Sequence, residues 1–336
     1  MTPSRPTGRR ILTGGALAML LLLSGCAEFE APPAPNSAPT TFAPPLPARA
    51  TEIEAGAPAS ATAQPDCGDP TASLRPDPDP ALRVGPTIDA IRARGRLVVG
   101  LDTGSNLFSF RDPQTGTIQG FDVDIAREIA RDLLGDPNLI EYRTLGSADR
   151  EEALMNHTVD IVAKTMTITC ARRQHIDFST VYYKAAQRVL AIADGGTGTP
   201  SIDGIGDLAD RRVCVVNGTT SMQHIQQYQP AAALLTVPNW ADCMVALQQR
   251  QVDAISSDDS ILAGLAVQDP YTRVVGDPIS AEPYGIGIAQ NQTDLVRFVN
   301  ATLDRIRTDG TWNALYDRWL TVLGPAPGPP APRYLD

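Results

Sequence analysis

The sequence has few of the residues on which most catalytic and nucleic-acid-binding sites depend. Its 336 residues include three histidines (His157, His175 and His224) and two lysines (Lys164 and Lys184). No GxSxG or HExxH motif occurs, and no histidine lies near a nucleophile within a motif. The formal net charge is −10, so the chain lacks the basic excess that phosphate neutralisation requires. The composition therefore favours neither an enzyme nor a nucleic-acid-binding protein, although a small anion could still bind in a local pocket.

The longest apolar run at the N-terminus, Ile11 to Leu23, is too short to span a bilayer comfortably. Three arginines precede it and Ser24 and Gly25 follow it, a pattern typical of an export signal. The sequence "LSGC" resembles the bacterial lipobox, whose cysteine is lipidated and becomes the first mature residue. We therefore predict a lipoprotein signal peptide over residues 1–26 and a lipid anchor at Cys26. The alternative is a cleaved secretory signal with an incidental cysteine.

Residues 27–80 consist mostly of Ala, Pro, Thr and Ser, with thirteen prolines and no run able to bury a core. This composition predicts an extended, semi-rigid Pro/Ala-rich linker rather than a domain. A second Pro-rich segment, residues 323–336, forms a C-terminal tail to which the sequence assigns no role. Export signal, lipid anchor and linker together predict an extracytoplasmic protein anchored to the cell membrane by lipid, in a compartment that permits disulfides.

From residue 86 onward the pattern alternates between strands and helices. "RLVVGLD" and "IEYRTL" are typical of strands, and "FDVDIAREIARDLLG" has the 3.6-residue spacing of an amphipathic helix. A second alternating unit begins at "RRVCVVNGTTS", and "ALMNHTVDIVAKT" is echoed by "ALQQRQVDAISSD". The alternation predicts an α/β protein with parallel strands covered on both faces, in two similar lobes rather than one continuous sheet.

Six segments occur in the order found in the extracytoplasmic amino-acid-binding proteins of ABC importers, the glutamate, aspartate and glutamine binders of the type II fold. They are "GRLVVGLDTG", "GFDVDIAREIA", "SADREEALMNHTVDIVAKTMTITCARRQHIDFSTVYY", "VVNGTTS", "VDAISSDDSILAG" and "YGIGIAQNQTDLVRFVNATLDRIRTDGTWNALYDRWL". The resemblance covers about residues 86–322. It implies two α/β lobes joined by two hinge strands: lobe 1 from 86–183 plus 284–322, and lobe 2 from 184–283. The ligand would lie in the cleft, at the carboxyl ends of the strands.

The resemblance places the ligand's α-carboxylate at the loop "TMTITCARR". Arg172 matches the arginine of the family word "TITxxR", and a planar guanidinium can hold a carboxylate through two parallel hydrogen bonds. Thr165 and Thr167 match positions that hold the ligand through backbone and hydroxyl groups, and strand alternation puts both on one side of an extended segment. We expect Arg173, by contrast, to lie outside the site.

The second lobe contributes "NGTTS" and "SSDDS" in this interpretation. Thr219 is the best match in the first word, with Gly218 and Thr220 beside it at a strand-to-helix turn suited to an anion. Asp258 matches the carboxylate that receives the ligand's α-ammonium, and Asp259 takes that role if the register slips by one residue. The alternative, purely structural interpretation of both sequences is that these residues cap the helices that follow them.

The sequence leaves open whether the ligand has a side-chain carboxylate or a side-chain amide. "SADR" resembles the Ser-x-Asn-Arg word of glutamate and aspartate binders, in which Ser147 and Arg150 would bind a side-chain carboxylate. Asp102 instead matches an aspartate that contacts the side-chain amide in glutamine-binding relatives. Trp240 also departs from the acidic pattern, since acidic-amino-acid binders can have a histidine there. Glutamate, aspartate, asparagine and glutamine all remain candidates.

Four cysteines follow Cys26 in the chain and allow three pairings. In the two-lobe arrangement that the resemblance implies, Cys214 and Cys243 fall in lobe 2, whereas Cys170 falls in lobe 1 with Cys67 just before it. A bridge between lobes would block hinge motion, so we expect Cys214 with Cys243 and Cys67 with Cys170. Without a CxxC or Cys/His spacing, we predict no metal site.

The leading hypothesis is a monomeric, lipid-anchored solute-binding protein that captures an acidic or amide amino acid and delivers it to an ABC permease. It would act by hinge closure, without a cofactor and without catalysis. The rival hypothesis is an amino-acid-sensing lipoprotein that signals through another membrane partner. Some proteins of this fold are enzymes, so the fold alone does not exclude catalysis.

Overall fold

The computed structural model describes residues 44–58, 65–193 and 201–336, which form an α/β structure with two central sheets. The strands and α-helices of this part follow in chain order: β1 Thr51–Ile53, α1 Pro86–Arg94, β2 Leu97–Leu101, β3 Gly104–Ser105, β4 Ser109–Arg111, β5 Ile118–Gln119, α2 Phe121–Leu134, β6 Ile140–Thr144, α3 Arg150–Met155, β7 Ile161–Val162, α4 Cys170–Arg173, β8 Ile176–Phe178, β9 Tyr183–Ile192, β10 Arg212–Val216, α5 Thr220–Tyr228, β11 Ala233–Val237, α6 Trp240–Gln248, β12 Ala254–Asp258, α7 Asp259–Gln268, β13 Thr272–Tyr284, β14 Gly287–Ala289, α8 Thr293–Thr308 and α9 Thr311–Trp319. Short 3₁₀ helices cover Pro80–Leu82, Ile205–Leu208 and Thr321–Leu323.

The first lobe is built on a five-stranded sheet in the order β6-β2-β7-β14-β8. Strand β2 pairs in parallel with β6 and β7, and all five of its residues are buried, as expected for a strand covered on both faces. Strand β14 pairs antiparallel with β7 and β8, because it returns to this lobe after the chain has passed through the other. The sheet is therefore mixed, whereas the sequence pattern suggested parallel pairing.

The second lobe is built on a six-stranded sheet in the order β1-β11-β10-β12-β9-β13. Strands β10, β11 and β12 are parallel, which brings their carboxyl ends to one edge. Strands β9 and β13 pair antiparallel with each other from the Thr272 pair to the Tyr284 pair, and they carry the chain from one lobe to the other and back. We call β9 and β13 the hinge strands. The sequence boundaries proposed for the lobes, at residues 183/184 and 283/284, fall at their ends.

The core of the first lobe contains a cluster of aromatic rings close to the hinge strands. Tyr183 and Tyr284 have ring centroids 5.6 Å apart, and Phe108 packs edge-on against both. Trp312 Nε1 donates to the carbonyl of Tyr182 at 2.8 Å, which ties helix α9 to the segment entering β9. Buried rings of this size stabilise the base from which the hinge strands leave.

The linker prediction needs a partial correction. Strand β1 pairs antiparallel with β11 and so adds an edge strand to the second lobe. The backbone carbonyls of Pro70 and Ala72 accept hydrogen bonds from Arg173 on the first lobe, at 2.6 and 2.7 Å. The described residues of the linker therefore contact both lobes, because their backbone groups find partners there. Residues 27–43 and 59–64 lie outside the described residues.

The C-terminal tail also packs on the first lobe. The amide of Leu335 donates to the carbonyl of Ser73 at 2.9 Å, and Tyr334 donates to Asp304. Arg297 forms an ion pair with Asp336 at 2.7 Å. Tail and linker therefore stabilise each other's position against helix α8.

The structure contains both expected disulfides, Cys67 with Cys170 and Cys214 with Cys243. The first joins the linker to α4 in the first lobe, and the second joins β10 to α6 in the second lobe. Neither bond connects the two lobes, so both leave the hinge free. No helix in the described ranges is long and apolar enough to cross a membrane, and the predicted signal peptide with Cys26 lies outside those ranges.

Candidate ligand-binding site

A small cavity lies between the lobes where the parallel strands of both sheets end. The carboxyl ends of parallel strands are the usual position for a ligand in such sheets. The lining residues are Ser147, Arg150, Thr165, Thr167, Arg172, Thr219, Thr220, Ser221, Trp240, Asp258 and Ile261. Nine of the eleven ligand-contact residues predicted from the sequence line this cavity; the other two, Asp102 and Gly218, do not.

Arg172 lies on helix α4 with its guanidinium buried beside the cavity. Its Nη1 donates to the carbonyl of Thr167 at 2.6 Å and its Nη2 to that of Gly218 at 3.1 Å. Its carboxylate partner is Glu151, 3.5 Å away and one-third exposed. Burial lowers the pKa of Arg172, and the charge of Glu151 offsets only part of this effect. An anion in the cavity would stabilise this guanidinium.

Arg150, at the first turn of α3, is 3% exposed and has only carbonyl groups as hydrogen-bond partners. It donates to the carbonyls of Ser147 at 2.8 Å, Lys164 at 3.1 Å and Gly218 at 3.2 Å. No carboxylate of the described residues lies within ion-pair distance. Burial, followed by the charge of Arg172, lowers the pKa of Arg150 to about 9. Two buried cations therefore share a cavity with too little negative charge.

Asp258 presents the opposite charge from the second lobe, at the end of β12. Its Oδ2 accepts from the hydroxyl of Tyr284, whereas its Oδ1 is buried with no hydrogen-bond partner. Burial and the nearby charge of Glu282 raise the pKa of Asp258 well above its ordinary value. A cationic donor in the cavity would satisfy Oδ1 and favour the ionised carboxylate. Asp259 instead accepts from the amide of Ala186 at 3.2 Å and does not line the cavity.

The loop after β7 is not extended throughout, which corrects one step of the sequence argument. Thr165 has a positive φ of 39°, so simple strand alternation does not describe its orientation. Its amide donates to the buried carboxylate of Asp122 at 2.9 Å, which fixes this turn. Thr165 and Thr167 nevertheless both line the cavity, and Met166 is buried in the core as expected.

Thr219 and Thr220 lie at the start of α5, and their hydroxyl groups have different partners. The Thr219 hydroxyl donates to the carbonyl of Val216 at 2.7 Å and accepts from the amide of Met222, as a helix cap does. Its side chain is thus engaged within the protein. The first amides of α5 have no partner within the helix, which leaves them suited to an anion.

Gly218 contacts the other lobe instead of lining the cavity. Its carbonyl accepts from Arg150 and Arg172, so it links the second lobe to both cations of the first. It has a φ of +72°, and a Cβ here would lie 2.5 Å from the Cα of Ala148. The residue therefore has to be glycine for the lobes to approach this closely.

Asp102 is turned away from the cavity and fully satisfied. Its Oδ2 accepts from Lys164 Nζ and from the Ser105 hydroxyl, each at 2.8 Å. Its Oδ1 accepts from the amides of Thr103 and Gly104. Burial acts to raise the pKa of Asp102, but the charge of Lys164 and the hydrogen bonds from Lys164, Ser105 and Thr103 together outweigh it, and the pKa lies below its ordinary value. Asp102 therefore does not line the cavity as the sequence argument expected.

Two lining residues and one supporting residue were missed by the sequence argument. Ser221 follows the predicted "GTT", and Ile261 lies three residues after Asp258, so helix spacing could have indicated it. Glu282 lies in β13, within the sequence "SAEPY", and matched no ligand-binding motif considered in the sequence. Among the described residues, no group of three or more His, Cys, Asp or Glu side chains could hold a metal ion.

The chain is similar to several known amino-acid-binding proteins. The chain is 36% identical over 234 residues to the ABC transporter glutamine-binding protein of Bacillus subtilis (strain 168), covering 70% of this chain and 84% of that protein. It is 31% identical over 238 residues to the glutamate-binding protein of Corynebacterium efficiens, covering 68% and 78%. The solved solute receptor for L-cysteine of Neisseria gonorrhoeae superposes with a TM-score of 0.67 at 29% identity, over 71% of this chain and 96% of that chain.

The family model for bacterial extracellular solute-binding proteins, family 3, matches residues 97–322. This range contains both sheets except for edge strand β1, and all the residues that line the cavity. The chain belongs to the family 3 bacterial extracellular solute-binding proteins.

Proposed function

We propose that this protein is a lipid-anchored receptor that closes its two lobes on an acidic amino acid, glutamate or aspartate, and delivers it to an ABC permease. The observation that carries the proposal is the charge arrangement in one cavity. Arg150 and Arg172 lack adequate counter-ions, and Asp258 has an unpartnered buried oxygen. Buried charges are costly unless they are paired, so the cavity is suited to a ligand with two anionic groups and one cationic group.

An acidic amino acid would balance these charges. Its two carboxylates would pair with the two arginines, and its ammonium with Asp258. A neutral amide ligand would leave one arginine unpaired. The engagement of Asp102 by Lys164 removes the side chain that would favour an amide, which also supports the acidic ligand. The relatives that bind glutamine and glutamate support an amino-acid ligand of this size.

Calorimetric titration of the protein lacking residues 1–26 with the twenty amino acids tests the ligand. We expect L-glutamate or L-aspartate to bind most tightly, and Arg172→Ala to weaken that binding at least about 30-fold, since it removes one partner of a buried charge pair. Arg173→Ala is the matched control, because the Arg173 side chain donates to linker carbonyls, lies over the ring of Phe178 and does not line the cavity. If no amino acid binds, the proposal fails; if neutral branched amino acids bind best, the acidic ligand is wrong.

The anchor needs a separate test. Cell fractionation should recover the full chain with the membrane and Cys26→Ala in the soluble extracytoplasmic fraction. Mass spectrometry of the mature N-terminus should show a lipid on residue 26. Recovery of unlipidated wild-type protein would show that the signal is secretory only.

A further inference from the structure

Glu282 is a fully buried carboxylate on hinge strand β13 with no arginine or lysine partner among the described residues. The Ser280 hydroxyl donates to its Oε1, and His224 Nδ1 lies 3.4 Å from the same oxygen. Its Oε2 accepts from Thr167 at 2.6 Å and from Thr220 at 2.8 Å. An ionised carboxylate is acceptor-only, so it orients every hydroxyl that contacts it.

The two threonines that contact Oε2 come from opposite lobes. Thr167 follows β7 in the first lobe, and Thr220 begins α5 in the second. Both residues also line the cavity. A hydroxyl has one proton, so each threonine that donates to Glu282 can only accept hydrogen bonds from a ligand.

The same cavity is lined by a residue with a third acceptor, which has no partner. The unpartnered Oδ1 belongs to Asp258, whose pKa burial and the Glu282 charge raise together. Two threonine acceptors and this carboxylate oxygen make three acceptors near one another. A primary ammonium group has three donors and would match them.

We propose that Glu282 is the positioning residue for the ligand's α-ammonium. It holds the hydroxyls of Thr167 and Thr220 as acceptors and links both ligand loops to the hinge strand when the lobes are closed. This inference rests on the proposed function, because it requires a ligand with an ammonium group. Nothing in it depends on which acidic amino acid binds.

The test compares a ligand with and without its ammonium group. Wild type, Glu282→Met and Glu282→Gln are titrated with L-glutamate and with glutarate, which has the same two carboxylates. Methionine has a similar shape but cannot hold the hydroxyls, so Glu282→Met should bind glutamate at least about ten-fold more weakly, as expected for a lost bond to a charged group. Glutarate should bind as in wild type or more tightly.

Glu282→Gln distinguishes a loss of hydroxyl orientation from a general disruption of the binding site. Its amide oxygen can accept both hydroxyls while its NH₂ group donates to Ser280 and His224, so its glutamate affinity should lie closer to wild type than to Glu282→Met. Equal losses for glutamate and glutarate, or no loss in Glu282→Met, would overturn the inference. If wild type binds neither glutamate nor aspartate, the proposed function has failed, and the inference with it.

A second pair of variants covers the case in which Glu282→Met does not fold. Thr220→Val removes the hydroxyl with little change of volume, and Thr220→Ser is its matched control because serine keeps the hydroxyl. Thr220→Val should lose glutamate affinity about ten-fold with glutarate unchanged, and Thr220→Ser should retain it. A Thr220→Val variant that binds both compounds like wild type would contradict the inference.

Discussion

In the sequence, Arg150 indicated a ligand with a side-chain carboxylate, whereas Asp102 indicated one with a side-chain amide. The surroundings of the two residues in the structure favour the first interpretation. Asp102 accepts four hydrogen bonds from its own lobe, one of them from the buried ammonium of Lys164. Arg150 has only carbonyl partners and faces the cavity. A satisfied carboxylate has little to gain from a ligand, whereas an unpaired buried guanidinium has much to gain. The side chain of the ligand is therefore expected to meet Arg150.

Arg150→Met tests this assignment. It should weaken binding of L-glutamate by about 2 to 5 kcal/mol, at least about 30-fold, because a desolvated charge pair is lost. L-glutamine should lose much less. Arg143→Met is the control, since Arg143 is 60% exposed and pairs with Glu141 on the surface. Calorimetric titrations with L-glutamate and L-glutamine measure the two changes in affinity. Equal losses of affinity for both ligands would mean that Arg150 only supports the loop.

Asp122 should make stability depend on pH. It is fully buried, and burial raises its pKa from 3.8 to about 7, although Tyr182 and the Thr165 amide donate to it. The folded state therefore holds a proton that the unfolded state releases above pH 4. The stability from this group is complete below about pH 4 and is lost as pH rises through about 7.

Asp122→Asn should remove this dependence. From pH 4.5 to 7.5 the free energy of unfolding of wild type should fall by about 3 kcal/mol relative to Asp122→Asn. Denaturant titrations of both proteins at the two pH values measure this change in the free energy of unfolding. Exposed Asp89, replaced in Asp89→Asn, serves as control and should track wild type. Parallel curves for wild type and Asp122→Asn would show that Asp122 stays ionised.

The sequence predicted those site residues whose role follows from their place in a local word. Thr167 and Arg172 lie in the loop and short helix after β7, and Asp258 ends β12, so the fold brings all three to the cavity between the lobes. The partners of Glu282 could not be predicted, because its bonds reach Thr167 and Thr220 over 115 and 62 residues. Pairings over such separations are set by tertiary packing, which no local pattern encodes.

At the scale of elements, the two disulfides differ in exposure. Cys67 is exposed in the linker, whereas Cys214 and Cys243 are fully buried between β10 and α6. Thiol–disulfide exchange requires access of the attacking thiolate. Under native conditions, graded reduction with alkylation and mass mapping should therefore label Cys67 and Cys170 well before the other pair. Simultaneous labelling would show that the second lobe opens as readily as the linker detaches.

The edge strand β1 was not predicted, since three residues within a Pro-rich segment carry no periodic signal. Its formation depends on the free edge of β11, a tertiary feature. The helices and central strands were predictable because their periodicity is long and regular; α2, for example, buries Ile125, Ile129 and Leu133 at four-residue intervals.

Removing β1 should loosen β11 without affecting the ligand. A variant lacking residues 1–58 should lose hydrogen-exchange protection at Leu234 and Thr236, because their amides face β1, whereas the amide of Ala233 donates to Arg211 on the other side of the strand. Its affinity should stay within about two-fold of wild type, since β1 does not line the cavity. A variant beginning at Ala50 is the control. Unchanged exchange after deletion of β1 would mean that the strand pairs only weakly.

At the scale of the whole molecule, close approach of the lobes depends on small residues. A Cβ on Gly264, in helix α7, would lie 2.5 Å from the carbonyl oxygen of Asn106 in the first lobe. Asn106 also donates to the Gly264 carbonyl at 3.1 Å. Backbone atoms cannot move aside cheaply, so closure and a larger residue at 264 are incompatible.

Gly264→Ala should therefore separate stability from affinity. Alanine favours a helix over glycine by about 1 kcal/mol, so thermal stability of the ligand-free protein should hold or rise. Glutamate affinity should fall at least about ten-fold, and solution scattering should show less compaction on ligand addition. Gly206→Ala is the control, because a Cβ there meets nothing within 4 Å. Normal compaction and affinity in Gly264→Ala would contradict this account of closure.

The attachment of β1 to the second lobe has a mechanical consequence. A pull applied through residue 44 is first borne by the ladder between β1 and β11, in shear along the strands. The first lobe receives that load through the linker residues after β1 and the covalent Cys67 bond, through the hinge strands, and through hydrogen bonds between the lobes such as that of Asn106 with Gly264. A molecule tethered at its N-terminal side would therefore hold its second lobe fixed and swing the first, which carries both arginines, toward it.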